Sequence, residues 1–582
     1  MMIVRSSLAF ALLAIASPAL AQQDPLAPAP GPVPVEPEEE DRPILTTPDP
    51  APPPAPIGRP VVVPKDWRGV FAAIRAADWP SAAAGIAALP DHVLKPVARA
   101  ELYTARNSPR VELEPILALL ASAPDLPHAE QLQRLAIARG ATVTPMIARS
   151  ARMVPLGAAP RRHRSRGVQG DIAADQLRTA LEPMVKDNLA PEAEALYLQS
   201  AAVLTAEGRA EAAQRVAWIY YLVGRDADAK RVAESGISGA TGEWAAQAQW
   251  IAGLADWRLN NCASAAGHFR AVAYSRAESE LRSAGAYWAA RSEQACRRPA
   301  NVEPLMKLAA RSPESFYGLL ARETLGMTKS LPPPSPASSR IEGLPNIRRA
   351  NELSAIGERA LAEQMIRHQA RIGNRADHGA LIAKARAMEL PATAYWLAHN
   401  GPQGAQVSPA DRFPLPRWAP SGGWRIDPAW AWAHARQESD FRHAAVSPAG
   451  AVGLMQVRPG TAGDFARARG TAVGLLSDPA TNLEYGQSFI ELMRRNPATQ
   501  GQLIKIIAAY NAGPTPVARW NYINHQGDPL LWIESLPYWE TRYYIPAVLR
   551  NLWVYEGLAG TPQTTLKELA QRRWPSFPAY RR

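Results

Sequence analysis

The sequence predicts an all-α protein: a helical-repeat superhelix followed by a second, mainly helical unit. Three observations predict it. Apolar residues recur at i, i+3, i+4 and i+7 through most of residues 66–326, the spacing that lines one face of a helix. Alanine-rich stretches such as RAEAAQRVAWIYYLVG and GEWAAQAQWIAGLADWRLN alternate with short breaks, so helices pair in units of about 30–40 residues that resemble a tetratricopeptide-like solenoid without its strict consensus. At 582 residues the chain is also too long for one core and calls for several domains.

Taken in order, residues 1–21 read as a signal peptide. Arg5 gives a positive start, Leu8 to Ile15 an apolar run, and Ala19-Leu20-Ala21 a small-residue cleavage site, so export to the periplasm with Gln22 first is expected. No Cys follows that site to carry a lipid, and no later stretch is apolar for long enough to span a membrane. Residues 22–65 are dense in proline and form an extended, disordered linker, a tether or simply a leader segment. Residues 66–326 form the α-helical superhelical domain, whose helix pairs bury their faces only by stacking into one long curved body. It reads as an arch for a polymer or as a scaffold for partner proteins. The basic run RRHRSRG at 161–167 reads as a solvated loop between helices, with contact to acidic groups outside the chain as the lesser reading. Residues 327–345 are a Pro/Ser linker, 346–405 a smaller helical linker domain, and 406–582 the terminal domain.

The two cysteines, Cys262 and Cys296, are the whole complement. In an exported protein an even pair favours a disulfide, here between adjacent helix pairs, with two unpaired thiols as the alternative.

The terminal domain turns on Ile426 to Thr461. Asp427 suits an N-cap and Pro428 the first helical position. The helix WAWAHARQESDF follows, with Glu438 near its end and Ala431, His434 and Ala435 on the same face. An apolar wall raises the pKa of such a carboxyl, which suits a general acid. Gly450, Gly453 and Gly460 then mark a tight loop whose backbone approaches something closely. Asp478-Pro479 repeats the helix-start signature, and that helix reads as structural. LIKIIAAYNAGP ends by Gly513-Pro514, leaving Tyr510 and Asn511 at a helix terminus. Nine of the seventeen tryptophans lie between Trp418 and Trp574, which fits a saccharide groove, although each one alone is more often core. No convincing second carboxylate accompanies Glu438. Asp440 lies two positions on, points to another side of the helix and reads as a solvated charge.

R-Q-E-S, then S-P-x-G-x-x-G-L-M-Q, A-Y-N-A-G-P at 509–514 and E-T-R-x-Y at 540–544 occur in that order. Together they resemble the catalytic domain of the soluble lytic murein transglycosylases, over about 150 residues. The resemblance implies a lysozyme-like, mainly α catalytic domain after the superhelix. ESFYGLLA at 314–321 is similar to the end of that family's superhelix. The implied reaction is non-hydrolytic cleavage of the MurNAc-β-1,4-GlcNAc bond of peptidoglycan, giving 1,6-anhydroMurNAc ends, with Glu438 as the single catalytic acid and base. It also implies substrate contacts from Ser447, Gln456, Tyr510, Asn511, Glu540 and Tyr544, and packing of Met455 under the loop. It implies no cofactor and no metal. Arg458 stands where relatives often carry Met, which bears on subsite preference.

Peptidoglycan glycan strands are therefore the expected partner. The net charge of +11 suits such an acidic polymer. It does not indicate nucleic acid, because the basic residues are scattered along helices without a recognition motif. A lysozyme-type hydrolase and a catalytically silent wall-binding scaffold are the competing functions.

Overall fold

In a computed structural model, the structure describes residues 60–157, 160–328 and 331–578. The expected signal peptide, and nearly all of the proline-rich stretch at 22–65, lie outside the described residues. The rest is helical: twenty-six α-helices and a single two-stranded ribbon among the described residues. None of these helices is long and apolar enough to cross a membrane.

The repeats are clearest from Ala206 to Ala310. Three helix pairs run Ala206–Leu222 with Asp226–Ser235, Glu243–Arg258 with Cys262–Ala273, and Ser279–Ala295 with Val302–Ala310. Each pair turns through one left-handed residue at the same place: Gly224 (φ 78°), Asn260 (φ 60°) and Arg297 (φ 58°). The following N–H reaches back five residues in each case, Arg225 to Tyr220, Asn261 to Asp256 and Arg298 to Glu293. This is a Schellman closure, which satisfies carbonyls that the helix end would otherwise orphan. The Cys262–Cys296 disulfide forms, with Cα atoms 5.5 Å apart. It joins the start of the second helix of one pair to the end of the first helix of the next, so it staples two neighbouring turns.

The core does not follow one long body. Helices between Trp67 and Ala138 share a core with those between Pro345 and His399, through Val70, Leu94, Leu119, Leu353, Ile366 and Leu397. Arg349 pairs with Asp125 at 2.9 Å, and Asn346 donates to the Asp125 carbonyl. The ribbon pairs Met153–Pro155 with Asn400–Pro402. Most of these helices are only 9 to 11 residues long, too short to bury a face alone, so the segment expected as a separate linker domain completes the beginning of the superhelix. The later helix pairs pack on the terminal domain in a second core that includes Trp250, Trp288, Phe316, Trp430 and Trp553. Phe316 stacks on Trp553 with ring centroids 5.2 Å apart. The Pro/Ser stretch is fastened as well: Asp411 accepts from the backbone and hydroxyl of Ser335 and from Arg386.

Candidate active site

Glu438 sits on the helix Pro428–Ser439, which starts as its sequence requires: Asp427 accepts from the Ala429 N–H, with Pro428 in the first position. The helix stops two residues before the expected Phe441, because Asp440 and Phe441 both adopt left-handed φ (50° and 64°). Ala431, Ala433 and Ala435 are fully buried, so the helix is driven into the core and Glu438 emerges half-buried at its end, lining a cavity of about 390 Å³.

The surroundings of Glu438 set its proton affinity. Burial pushes its carboxyl up to about 7, the Tyr544 hydroxyl hydrogen-bonded to it pulls the other way, and the nearby Glu540 carboxylate pushes it up again. Tyr544 donates to Glu438 Oε1 at 2.5 Å, and His434 Nδ1 lies 2.8 Å from the same phenol oxygen. Burial pushes His434 down to about 3, so the ring is neutral. With the phenol proton spent on Glu438, Nδ1–H is left to donate into Tyr544. A neutral relay therefore orients the carboxyl without adding charge.

The other expected site residues surround this relay. Ser447 and Gln456 line the cavity from the loop after the helix, and Asn511 and Glu540 from the opposite side. Asn511 Nδ2 donates to Glu540 Oε1 at 3.3 Å, and Asn511 Oδ1 accepts from the Thr541 hydroxyl at 2.6 Å. Glu540 itself is exposed, in the first turn of the helix Trp539–Ala559, where the dipole favours a carboxylate. The neighbouring Arg542 does not partner it: that guanidinium is buried 3.9 Å over Trp218. Tyr510 stands behind the wall. Its ring packs on His434 with centroids 4.4 Å apart, and its hydroxyl donates to the Met455 carbonyl at 2.7 Å.

The glycine loop is tight for an internal reason. Gly450 and Gly453 take φ of 76° and 84°, whereas Gly460 lies inside the helix Pro459–Ala468 and not in the loop. A Cβ on Gly453 would come within 2.2 Å of Asn482 Nδ2 and 2.5 Å of the Leu476 carbonyl, so the close approach is to protein. Asn482 is fully buried. It donates to the carbonyls of Val452 and Leu476 and accepts from the Met455 N–H. Gln456, in the left-handed region at φ 47°, is tied back to the Gly453 carbonyl. The helix Pro479–Arg495 is thus structural as expected, and its Asn482 is the pin that shapes the site. Met455 packs at full burial against Gly486. Arg458 is exposed, reaches back to the Ala449 carbonyl at 3.5 Å and does not line the cavity.

Two expectations require correction. The basic run is a loop solvated only in part: Arg161, His163 and Arg166 are exposed, whereas Arg162 is held inside. Arg162 is buried, grips Glu534 with both arms at 3.0 and 3.3 Å and stacks over Trp250 at 4.7 Å. Asp440 is not simply solvated either: it is half-buried, 3.8 Å from Arg161 and beside Tyr395. Most of the tryptophans of this domain are core, with Trp539 the one lining the cavity.

The sequence reading missed the far wall, which the superhelix supplies. Glu280, Phe316 and Tyr317 line the cavity together with Arg161, Arg162 and Glu534. Glu280 is buried, accepts from the Phe316 N–H at 3.1 Å and is pushed up to about 7 by that burial. Tyr317 donates to Glu534 at 2.7 Å. Glu438 is therefore not the only carboxyl in the cavity, although Glu534 is neutralised by Arg162. No local pattern joins residues hundreds of positions apart, so ESFYGLLA and RRHRSRG stood out in the sequence without showing that they share one wall. Among the described residues no group of three or more His, Cys, Asp or Glu is placed to hold a metal ion.

Comparison with known proteins gives the same picture. Residues 419–532 match the family described as "Transglycosylase SLT domain". The soluble lytic murein transglycosylase of Escherichia coli K12 is 36% identical over 152 residues, 25% of this chain and 23% of that protein. Its counterpart in Salmonella typhimurium LT2 is 35% identical over 159 residues, 26% and 24% of the two chains. The aligned stretch thus spans about a quarter of these relatives. The solved structure of an inactive mutant of lytic transglycosylase Slt from Pseudomonas aeruginosa superposes with a TM-score of 0.53 over 88% of both chains at 19% identity. The 70 kDa soluble lytic transglycosylase of Escherichia coli gives 0.51 over 87% of this chain and 99% of that one, at 18% identity. Residues 419–532 are thus a transglycosylase SLT domain, set in a chain with the fold of the soluble lytic transglycosylases.

Proposed function

We propose that the protein is a peptidoglycan lytic transglycosylase of the periplasm, cleaving the MurNAc-β-1,4-GlcNAc bond without water. One observation carries the reading: a carboxyl poised near neutrality, Glu438, oriented by Tyr544 inside the cavity of an SLT domain. A group with a pKa near the working pH can both give and take a proton. Protonated Glu438 gives its proton to the bridging oxygen as the glycosidic bond breaks. The acetamido group of the muramic residue stabilises the charge left at C1. Glu438, now a carboxylate, takes the proton of that residue's C6 hydroxyl, whose oxygen bonds to C1 and closes the 1,6-anhydro ring. Atoms balance without water, and the acid is regenerated.

Ser447, Gln456, Asn511 and Glu540 are assigned to holding the sugar, Tyr544 to holding Glu438, and Tyr510 to supporting the loop through Met455. The disulfide fits an oxidising compartment, as does the leader-like stretch at 1–21. Mass spectrometry of peptidoglycan digests tests the reaction class. Muropeptides ending in 1,6-anhydroMurNAc, one water lighter than hydrolysis products, are expected. Predominantly reducing MurNAc ends would make the enzyme a lysozyme-type hydrolase, and an uncut wall would leave a binding scaffold.

A further inference from the structure

The catalytic site leaves part of one positive stretch unused. From Gln131 to Gly170 the chain holds eight arginines and no Asp or Glu. Four of the eight lie in RRHRSRG at 161–167, which reaches the cavity. The others are Arg134 on the helix Ala129–Ala138, and Arg139, Arg149 and Arg152 on the strap of residues 139–152 that leads from that helix to the strand Met153–Pro155. The strap is fastened along its length. The Ala148 N–H donates to the Pro124 carbonyl and the Ala151 N–H to the Arg371 carbonyl. Thr144 accepts from Gln133 at 2.8 Å, and Ile147 packs on the core beneath. Val143, Met146, Arg149 and Arg152, at every third position, stand out of it: Val143 is 80% and Met146 92% exposed, and both arginines are exposed as well. Arg139 is taken up by the Val111 carbonyl at 3.1 Å. Among the described residues the guanidinium groups of Arg149 and Arg152 have no hydrogen-bond or ion-pair partner. None of these strap residues lines the cavity.

We propose that the strap docks the protein on an anionic phospholipid surface, with Val143 and Met146 entering the apolar edge of the headgroup layer and Arg149 and Arg152 meeting lipid phosphates. Aliphatic side chains held out in water gain free energy when an apolar medium covers them. A fluid bilayer accepts such protruding chains without a shaped hollow, whereas a protein partner has to supply one. A glycan strand has no apolar layer, and Val and Met lack the flat aromatic face that suits a sugar ring. Guanidinium groups match phosphate oxygens, and no carboxylate on this stretch competes for the two arginines, so their charge acts on a negative surface.

Vesicle flotation tests it, using the chain from Gln22 onward and vesicles of phosphatidylcholine alone or mixed with phosphatidylglycerol. The wild type is expected to float with the mixed vesicles, not with the neutral ones, and to come off in high salt. Arg149→Gln combined with Arg152→Gln weakens partition by about tenfold or more, each arginine near such a surface being worth about fivefold. Met146→Ser weakens it by about fivefold. Arg149→Lys combined with Arg152→Lys keeps the charge and retains flotation. Every variant keeps wild-type turnover of soluble glycan, which shows that it is folded. A wild type that does not float with the mixed vesicles overturns the proposal. So does equal flotation with both kinds of vesicle, or flotation that the Gln variant retains in full. Loss of binding to insoluble wall material by the Gln variant, with no vesicle binding by the wild type, overturns it in favour of a glycan contact.

Discussion

The working proton of the site belongs to Glu438, and burial and two neighbours fix its affinity. Burial raises it to about 7, the Tyr544 hydroxyl lowers it, and Glu540 raises it. Because the first step needs the protonated form, cleavage is expected to fall as pH rises through about 7. Tyr544→Phe removes the group that favours the carboxylate, so the falling limb moves to higher pH. Glu540→Gln removes a like charge and moves it to lower pH, by less, because Glu540 is exposed and screened. Rates of turbidity loss from pH 5 to 9 for the three proteins check the signs. Shifts in the same direction, or none, would show that these neighbours do not set the acid. Glu438 itself was legible in the sequence, since R-Q-E-S ends an alanine-rich helix. His434 behind Tyr544 was legible only as a residue on the same face.

At the scale of elements, helix starts were the most readable feature. Asp427-Pro428 and Asp478-Pro479 cap helices as their chemistry dictates. The glycine loop was legible as a tight turn, but its cause was not. Asn482 lies within an amphipathic helix and looks like any polar residue there until it is found buried among three loop groups. The disulfide was legible as a pairing, and the structure adds that it staples consecutive turns of the superhelix. Closing a loop of sequence separation 34 limits the unfolded chain by about 3–4 kcal/mol on a chain-entropy account. Replacing both cysteines by Ser is expected to lower the melting temperature by several degrees while leaving cleavage intact. An unchanged melt would show that the neighbouring helices hold without it.

Across the whole molecule, local patterns announced the helices but not their partners. Nothing local pairs Asp125 with Arg349, or places Arg162 against Glu534. Burial of a face specifies that a partner exists, not which one, and so the shared core of residues 67–138 and 345–399 was invisible in the sequence. The same holds for the superhelical wall of the cavity. Arg162, Glu534 and Tyr317 lock that wall to the terminal domain in a buried network. Arg162→Ala strands the Glu534 carboxylate without its counter-charge, at a cost of about 3–5 kcal/mol. The expected outcome is an earlier unfolding transition by denaturant and a loss of activity well below that transition. Unchanged stability would mean that the two halves do not depend on this joint.

The most direct test of the central claim is Glu438→Gln, which keeps the shape of the side chain and removes its transferable proton. If one carboxyl serves as both acid and base, both proton transfers fail together. Each is worth about 10²–10⁴-fold, so turnover of purified peptidoglycan should drop to or beyond the upper end of that range while glycan binding survives. Retention of wild-type turnover would contradict the account and move the chemistry to another group in the cavity.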